Sequence, residues 1–177
     1  MTPDIEPTLV AFAAFKPKAP TFPNGCHFCE LEIDPETGNT EVLSYVVVDD
    51  VGTVINPLLL KGQIHGGISQ GLGQALCEDL NYDPESGQLL SASFLDYCMP
   101  RADDMSSIDV IAAGTASPTN PLGIKGAGEA GCVGALPCIQ SALIDALKPY
   151  GVKDVPMPAT PHKLWKLIQE NSSETSE

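Results

Sequence analysis

Apolar and polar residues alternate over short stretches in the first third of the chain, and this period of two predicts β-strands. Residues 9–15 form one candidate strand and residues 26–33 a second. Residues 34–39 place a proline early and a glycine late, as tight turns do, and residues 41–48 return as a strand rich in β-branched side chains. Residues 26–48 are therefore predicted to form a β-hairpin.

A similar turn sequence occurs at residues 83–88, between candidate strands at residues 80–82 and 89–97. The repeated turn indicates either an internal duplication or convergence, and convergence is favoured because Asp-Pro-x-x-Gly is a common turn sequence. Residues 108–112 are predicted to form a further strand, which precedes a long loop.

The first predicted helix begins after Asn56, which can cap it, with Pro57 at a position that suits proline. Its apolar residues recur every four positions, as one helix face requires: Leu60, Ile64, Ile68, Leu72 and Leu76. Five glycines lie in the same segment: Gly62, Gly66, Gly67, Gly71 and Gly73. Together they cost roughly 4–5 kcal/mol relative to alanine. Such a helix must allow a close approach to its backbone, and the sequence leaves open whether a packed element or a ligand makes it.

A second helix is predicted after Glu129, with Pro137 in its first turn and Pro149 and Gly151 at its end. Residues 161–169 are predicted to form a short amphipathic helix, and residues 171–177 a polar tail. Helices interleave with hairpins, so the predicted fold class is α+β, with mixed sheets, hairpins and packed helices. No interior linker is evident, and residues 1–170 are taken as one domain.

Composition limits the classes of function. The chain has 177 residues, of which 43% are hydrophobic and 18% charged, as in globular domains. A pI near 4.3 argues against nucleic acid and anionic membranes as partners. No apolar run approaches the roughly 20 residues that span a bilayer. Residues 1–6 lack the pattern of an export signal, so we expect a cytoplasmic protein whose six cysteines are free thiols.

No metal-ligand spacing is visible in the sequence. Cys26 and Cys29 form a lone C-x-x-C pair inside a predicted strand, where their thiols should point to opposite faces. His27 and His162 have no partner at metal spacing. We therefore predict no protein ligand to a metal.

Glu129 is an isolated acid in a segment of small residues, directly after Gly126, Ala127 and Gly128. The segment matches G-x-G-x-x-G, but a loop precedes it and no acid follows at the spacing of a dinucleotide site. Its backbone N–H groups can still hold an anion or an oxo ligand. Glu129 either complements the helix dipole and pairs with Lys125, or acts as a general base in a water-poor pocket.

Three glutamines lie on the glycine-rich helix, and Gln63 and Gln70 should share one face. Their amides could recognise a heterocycle, although a surface role is the commoner one for glutamine. His65 lies between them and is more often a structural residue than a ligand.

Five segments resemble, in order, the large molybdenum-binding subunit of the xanthine oxidase family, with aldehyde oxidoreductase and carbon monoxide dehydrogenase large subunits the most similar in character. The segments are residues 50–57, 62–76, 93–102, 123–135 and 157–161. The resemblance runs from about residue 9 to residue 169 and implies one lobe of a molybdenum-cofactor-binding domain.

The resemblance implies that Glu129 is the catalytic base, acting on a hydroxyl held by molybdenum. The implied substrate is an aldehyde, an N-heterocycle or a similar small molecule, oxidised with water as the oxygen source. The implied cofactor is molybdopterin with molybdenum, with the cytosine dinucleotide form favoured. Residues expected to bind it are Gln63, His65, Gln70, Gly71, Gly126, Ala127 and Gly128.

Large subunits of this family are several times longer, and this chain resembles their C-terminal portion. The implied partners are the upstream part of the subunit and iron–sulfur and flavin subunits or domains. The alternative is a non-catalytic remnant or interaction module without bound cofactor.

Overall fold

The computed structural model describes residues 10–105 and 107–174. Strands β1 (Asn24–Ile33) and β2 (Thr40–Asp50) pair in antiparallel fashion. Gly38 closes the turn between them with a positive φ of 74°, and its N–H donates to the carbonyl of Asp34 at 2.7 Å. Strand β3 (Ile108–Ala112) pairs parallel to β2, which gives the order β1-β2-β3. The hairpin and the later strand are confirmed.

The described residues form three α-helices: α1 (Pro57–Leu76), α2 (Ala130–Leu147) and α3 (Pro161–Glu174). Short 3-10 turns lie at Ala102–Asp104 and Lys148–Tyr150. The Asn56 side-chain oxygen accepts hydrogen bonds from the N–H groups of Leu58 and Leu59, both at 3.1 Å, which confirms the predicted cap. The mixed α+β class is also confirmed.

The core lies between the sheet and the two longer helices, because α2 packs on both β1 and α1. Its largest fully buried side chains come from β2 and all three helices: Tyr45, Val47, Ile64, Ile68, Ile139, Leu143, Leu147 and Leu164. Burial of such side chains provides about 1.5–3 kcal/mol each relative to exposure. The core therefore holds α1 and α2 in a fixed relation.

Three of the predicted strands, at residues 9–15, 80–82 and 89–97, do not form among the described residues. Residues 10–15 are irregular, with Phe12 97% exposed, whereas Leu9 lies outside the described part of the chain. Residues 89–97 pair only at the Tyr82–Leu89 bridge, although Gly87 repeats the positive-φ turn. Alternation alone did not make these segments strands, because a strand needs a partner along its length.

The second helix begins earlier than predicted. Pro137 lies inside α2 rather than in its first turn, because the helix starts at Ala130, where small residues pack against α1. The third helix extends to Glu174, so the first residues of the predicted polar tail are helical.

By length and composition, Ala130–Tyr150 could cross a membrane. A helix packed in a protein core passes the same test, and α2 packs against α1 and β1, so this is weak support for a membrane span.

Candidate cofactor-binding site

Helix α2 packs against part of the glycine-rich surface of α1, at Gly67 and Gly71. A Cβ atom added at Gly67 would lie 2.9 Å from the Cys132 nitrogen, and one at Gly71 would lie 2.7 Å from the Ala135 Cβ. Gly131 on α2 is equally tight, since its Cβ would lie 2.5 Å from the Ile64 carbonyl oxygen. Close helix packing therefore accounts for Gly67 and Gly71, and the role of Gly71 in cofactor binding stays a prediction.

The remaining glycine face is open. Added Cβ atoms at Gly62 and Gly66 would meet no atom within 4 Å. Gln63 and Gln70 are exposed on the same side of α1. Nothing in the described part of the chain explains why these two positions are glycine, so their bare backbone is available to a group from outside it.

The loop before α2 is fastened to the end of β2. Lys125 Nζ lies 2.6 Å from Asp50 Oδ2, and the Lys125 N–H donates to the Val51 carbonyl at 2.9 Å. The other Asp50 oxygen accepts from the N–H groups of Gly52 and Thr115. The bond from Lys125 leads the causes that lower the pKa of Asp50 to about 2, with the two backbone N–H bonds following.

This ion pair corrects one sequence-based alternative. Lys125 was expected to pair with Glu129, but its ammonium is bound to Asp50 instead. Glu129 is the N-cap residue of α2, and its side chain makes no capping hydrogen bond. The carboxylate is exposed, so the expected water-poor surroundings are not formed by this chain.

The glycine loop and the open face of α1 are joined directly. Gln63 Nε2 donates to the carbonyl oxygen of Gly128 at 2.9 Å. Gly126 and Gly128 are exposed, with open space where a Cβ would stand, and Ala127 between them is half-buried. The bond therefore holds the bare backbone of the loop beside the bare backbone of α1.

His65 is half-buried, and its Nε2 atom is buried without a hydrogen-bond partner among the described residues. An unpaired buried donor or acceptor lowers the free energy of unfolding by about 1–3 kcal/mol, so a polar atom left in this state requires an explanation. Gln70, one turn beyond, is exposed.

Glu129 stands at the edge of a groove of about 330 Å³ between the start of β1 and the start of α2. Phe22 and Val133 provide apolar walls. His27 and Asp49 also line it.

His27 and Asp49 form a buried polar group that the sequence did not predict. His27 Nδ1 lies 2.7 Å from the Tyr45 hydroxyl, and His27 Nε2 lies 3.8 Å from Asp49 Oδ1. Burial lowers the pKa of His27 and raises the pKa of Asp49, and each partner partly opposes the shift of the other. Asp49 shares the inward face of β2 with Tyr45 and Val47, and a carboxylate at such a position was the available signal.

Within residues 10–105 and 107–174, no group of three or more histidine, cysteine or acidic side chains could hold a metal ion. Cys26 is exposed and Cys29 is half-buried, as expected for opposite faces of a strand.

Comparison with known proteins gives the family. Residues 5–106 match the family model described as "Molybdopterin cofactor-binding domain". The carbon monoxide dehydrogenase large chain of Afipia carboxidovorans is 36% identical over 168 residues, covering 95% of this chain and 21% of that protein. The nicotine 6-hydroxylase large subunit of Paenarthrobacter nicotinovorans is 40% identical over 159 residues, covering 90% of this chain and 19% of that one.

A crystal structure of a Cu,Mo-CO dehydrogenase superposes with a TM-score of 0.86 at 35% identity, covering 96% of this chain and 21% of that chain. The chain thus spans about a fifth of the length of the proteins it matches. It belongs to the molybdopterin cofactor-binding domain family, within the xanthine oxidase family of molybdenum hydroxylases.

Proposed function

We propose that this chain is the C-terminal lobe of a molybdenum hydroxylase large subunit, with Glu129 as the general base. The observation that supports this most directly is the position of Glu129. Its carboxylate is exposed, makes no capping hydrogen bond, and directly follows the open backbone of Gly126 and Gly128. A carboxylate held at a helix start, and not engaged by Lys125, can accept a proton from a reacting group.

The residues present fit a cofactor held through backbone and amide groups. Gly62 and Gly66 leave α1 open, Gly126 and Gly128 leave the loop open, and Gln63 joins the two. This arrangement suits a flat polar group that carries its own metal, because no side-chain metal site occurs among the described residues. When bound, molybdopterin with molybdenum would supply the two-electron oxidation of the substrate.

The protein groups around that cofactor have separate tasks. The helix dipole of α2 favours a negative charge near its start, and the Glu129 carboxylate lies at that end. The Lys125–Asp50 ion pair fixes the loop that precedes α2, and thereby the position of Glu129 at the start of that helix. Gln63 holds the Gly128 carbonyl and orients the backbone beside the base.

The finer parts of the proposal rest on the sequence resemblance and on composition. An aldehyde, an N-heterocycle or a similar small molecule is the proposed substrate, with water as the oxygen source. The cytosine dinucleotide is the proposed form of the cofactor, and the cytoplasm the proposed location. Because the chain spans about a fifth of its relatives, the proposed partners are the upstream part of the subunit and iron–sulfur and flavin subunits or domains.

The test is Glu129→Gln in the complete assembly. The amide keeps the size and loses the basic oxygen, and loss of one general base typically lowers turnover about 10²–10⁴-fold. Molybdenum and pterin content should stay at the level of the unchanged protein, since the Glu129 side chain makes no capping hydrogen bond that would position the loop.

Glu85→Gln is the matched control, because Glu85 is an exposed carboxylate in the distant turn at residues 83–88. It should leave both turnover and cofactor content unchanged. Turnover of Glu129→Gln close to that of Glu85→Gln would refute the assignment.

The second candidate is a non-catalytic remnant or interaction module. It is favoured by large exposed apolar side chains, with Phe94 85% and Leu95 94% exposed, which suit contact with another chain. Metal analysis and pterin fluorescence of the purified chain separate the two candidates. Stoichiometric molybdenum would exclude the remnant, whereas a chain that binds its partner without cofactor would support it.

A further inference from the structure

Two cysteines meet at the C-terminal end of α1. Cys77 is the C-cap residue of that helix and is half-buried, whereas Cys98 is exposed. Both line the same cavity of about 390 Å³, and the proximity of Cys98 contributes to the raised pKa of Cys77. They are 21 positions apart in sequence, so the fold rather than local sequence brings them together.

Neighbouring contacts hold the segment around Cys98 in register with the helix end. The Tyr97 hydroxyl donates to Glu78 Oε2 at 3.0 Å, which pairs the residues adjacent to the two cysteines. A Cβ added at Gly73 would lie 2.8 Å from the Pro100 ring, so this proline packs directly on the helix. Contacts on both sides of Cys98 therefore fix it against Cys77.

We propose that Cys77 and Cys98 form an oxidation site, at which a low-molecular-weight disulfide such as oxidised glutathione converts the two thiols to an intramolecular disulfide. The Cys98 thiolate attacks one glutathione sulfur, forms a mixed disulfide and releases one glutathione. The Cys77 sulfur then attacks Cys98 and releases the second. Two thiols lose two electrons and two protons, and one oxidised glutathione becomes two glutathione molecules.

The order of the two steps follows from the surroundings of each thiol. Burial and the neighbouring Cys98 raise the pKa of Cys77 to about 12, which leaves little thiolate there to start the exchange. Cys98 is exposed to a dissolved oxidant. Exchange begins at the thiol that the dissolved oxidant can reach, so Cys98 is the entry point and Cys77 resolves the mixed disulfide.

A second pair of neighbouring thiols provides an internal comparison. Cys29 and Cys138 interact on the inner side of β1 and α2, but both are half-buried, and burial raises the pKa of each. That pair lacks an exposed member, so it should react far more slowly with a bulky oxidant.

Oxidation would join the two ends of residues 78–97 through the Cys77–Cys98 disulfide and so close this segment into a covalent loop. This segment carries Phe94 and Leu95, two large apolar side chains that are 85% and 94% exposed. A disulfide at its base restricts the conformations of the segment. The redox state of Cys77 and Cys98 would thereby set how freely that apolar surface is presented.

The test uses the 177-residue chain with Cys26→Ser, which removes the other exposed thiol and leaves five cysteines. After treatment with oxidised glutathione, three thiols should titrate in denaturant, and peptide mapping should show Cys77 linked to Cys98. Adding Cys77→Ser should instead leave one glutathionyl group on Cys98. Adding Cys98→Ser should leave the remaining thiols unmodified over the same time.

Two results would overturn the proposal. One is a glutathionyl group that persists on Cys98 while Cys77 is present, which would mean that the sulfurs do not reach each other. The other is equally rapid Cys77–Cys98 linkage in concentrated urea, which would mean that the fold does not create the pair.

Discussion

Replacing Gly71 by alanine should destabilise the protein, whereas the same change at Gly66 in the same helix should stabilise it. An alanine in a helix interior is favoured over glycine by about 0.8–1 kcal/mol. At Gly66 the new methyl group meets no atom within 4 Å, so this gain should appear almost undiminished. At Gly71 it would lie 2.7 Å from the Ala135 Cβ and 3.2 Å from the Cys132 carbonyl oxygen.

Neither neighbour at Gly71 can move aside cheaply, because one is the side chain of an alanine and the other is backbone. Overpacking of this kind costs about 1–3 kcal/mol. Since the helix-propensity gain is common to both variants, the difference between their free energies of unfolding should equal this cost. The comparison thus isolates the contact between α1 and α2.

Urea unfolding followed by far-UV circular dichroism measures both free energies, and equal slopes with urea would show that the unfolded states are comparable. If Gly71→Ala proves as stable as Gly66→Ala, the two helices do not pack as closely in solution as described, and the reasoning fails. A second measurement uses the complete assembly. There Gly66→Ala should lower cofactor content despite its higher intrinsic stability, because it fills the open face.

Two further substitutions test the Lys125–Asp50 ion pair and the buried contacts of His27. Lys125→Met should raise the pKa of Asp50 from about 2 toward 3.8, which carboxyl NMR measures. Ionised Asp50 stabilises the folded protein fully above pH 3.8, and this stabilisation is lost as the pH falls through about 2. Because the variant lacks it, the midpoint of its acid unfolding should lie at a higher pH. An unchanged Asp50 titration would contradict the ion pair. Gly134→Ala should displace His27, because its Cβ would lie 2.4 Å from His27 Nε2, and the hydrogen bond to Tyr45 should be lost. The lowered pKa of His27 should then rise toward 6.5. The unchanged protein loses stability as the pH falls below 6.5, because buried His27 resists protonation, and the variant should not show this loss. An unaltered imidazole titration would argue against this contact.

Local chemistry predicted the elements whose stabilising contacts are local. The first hairpin has its turn signal at Gly38 and alternation in both strands, and α1 has its cap at Asn56. In each case the residues that determine the structure lie within a few positions of one another. The G-x-G segment was also placed correctly as a loop that opens a helix.

Features that depend on distant contacts were missed. One of two alternatives paired Lys125 with its sequence neighbour Glu129, but the fold brings Asp50 closer from 75 positions away. Pro137 suggested a helix start, yet the packing of Gly131 against α1 extends α2 toward its N-terminus. Sequence spacing gives no measure of such long-range contacts, and they determine the geometry around Glu129.

The parallel pairing of β2 with β3 has a consequence for biosynthesis. All of α1 and residues 77–107 are synthesised after β2 and before β3. One edge of β2 therefore stays unpaired while these residues emerge from the ribosome. An unpaired strand edge is a template for intermolecular pairing, and the Val46–Val48 stretch of β2 is apolar. A chaperone that covers this edge until β3 has been synthesised should therefore raise the yield of folded protein.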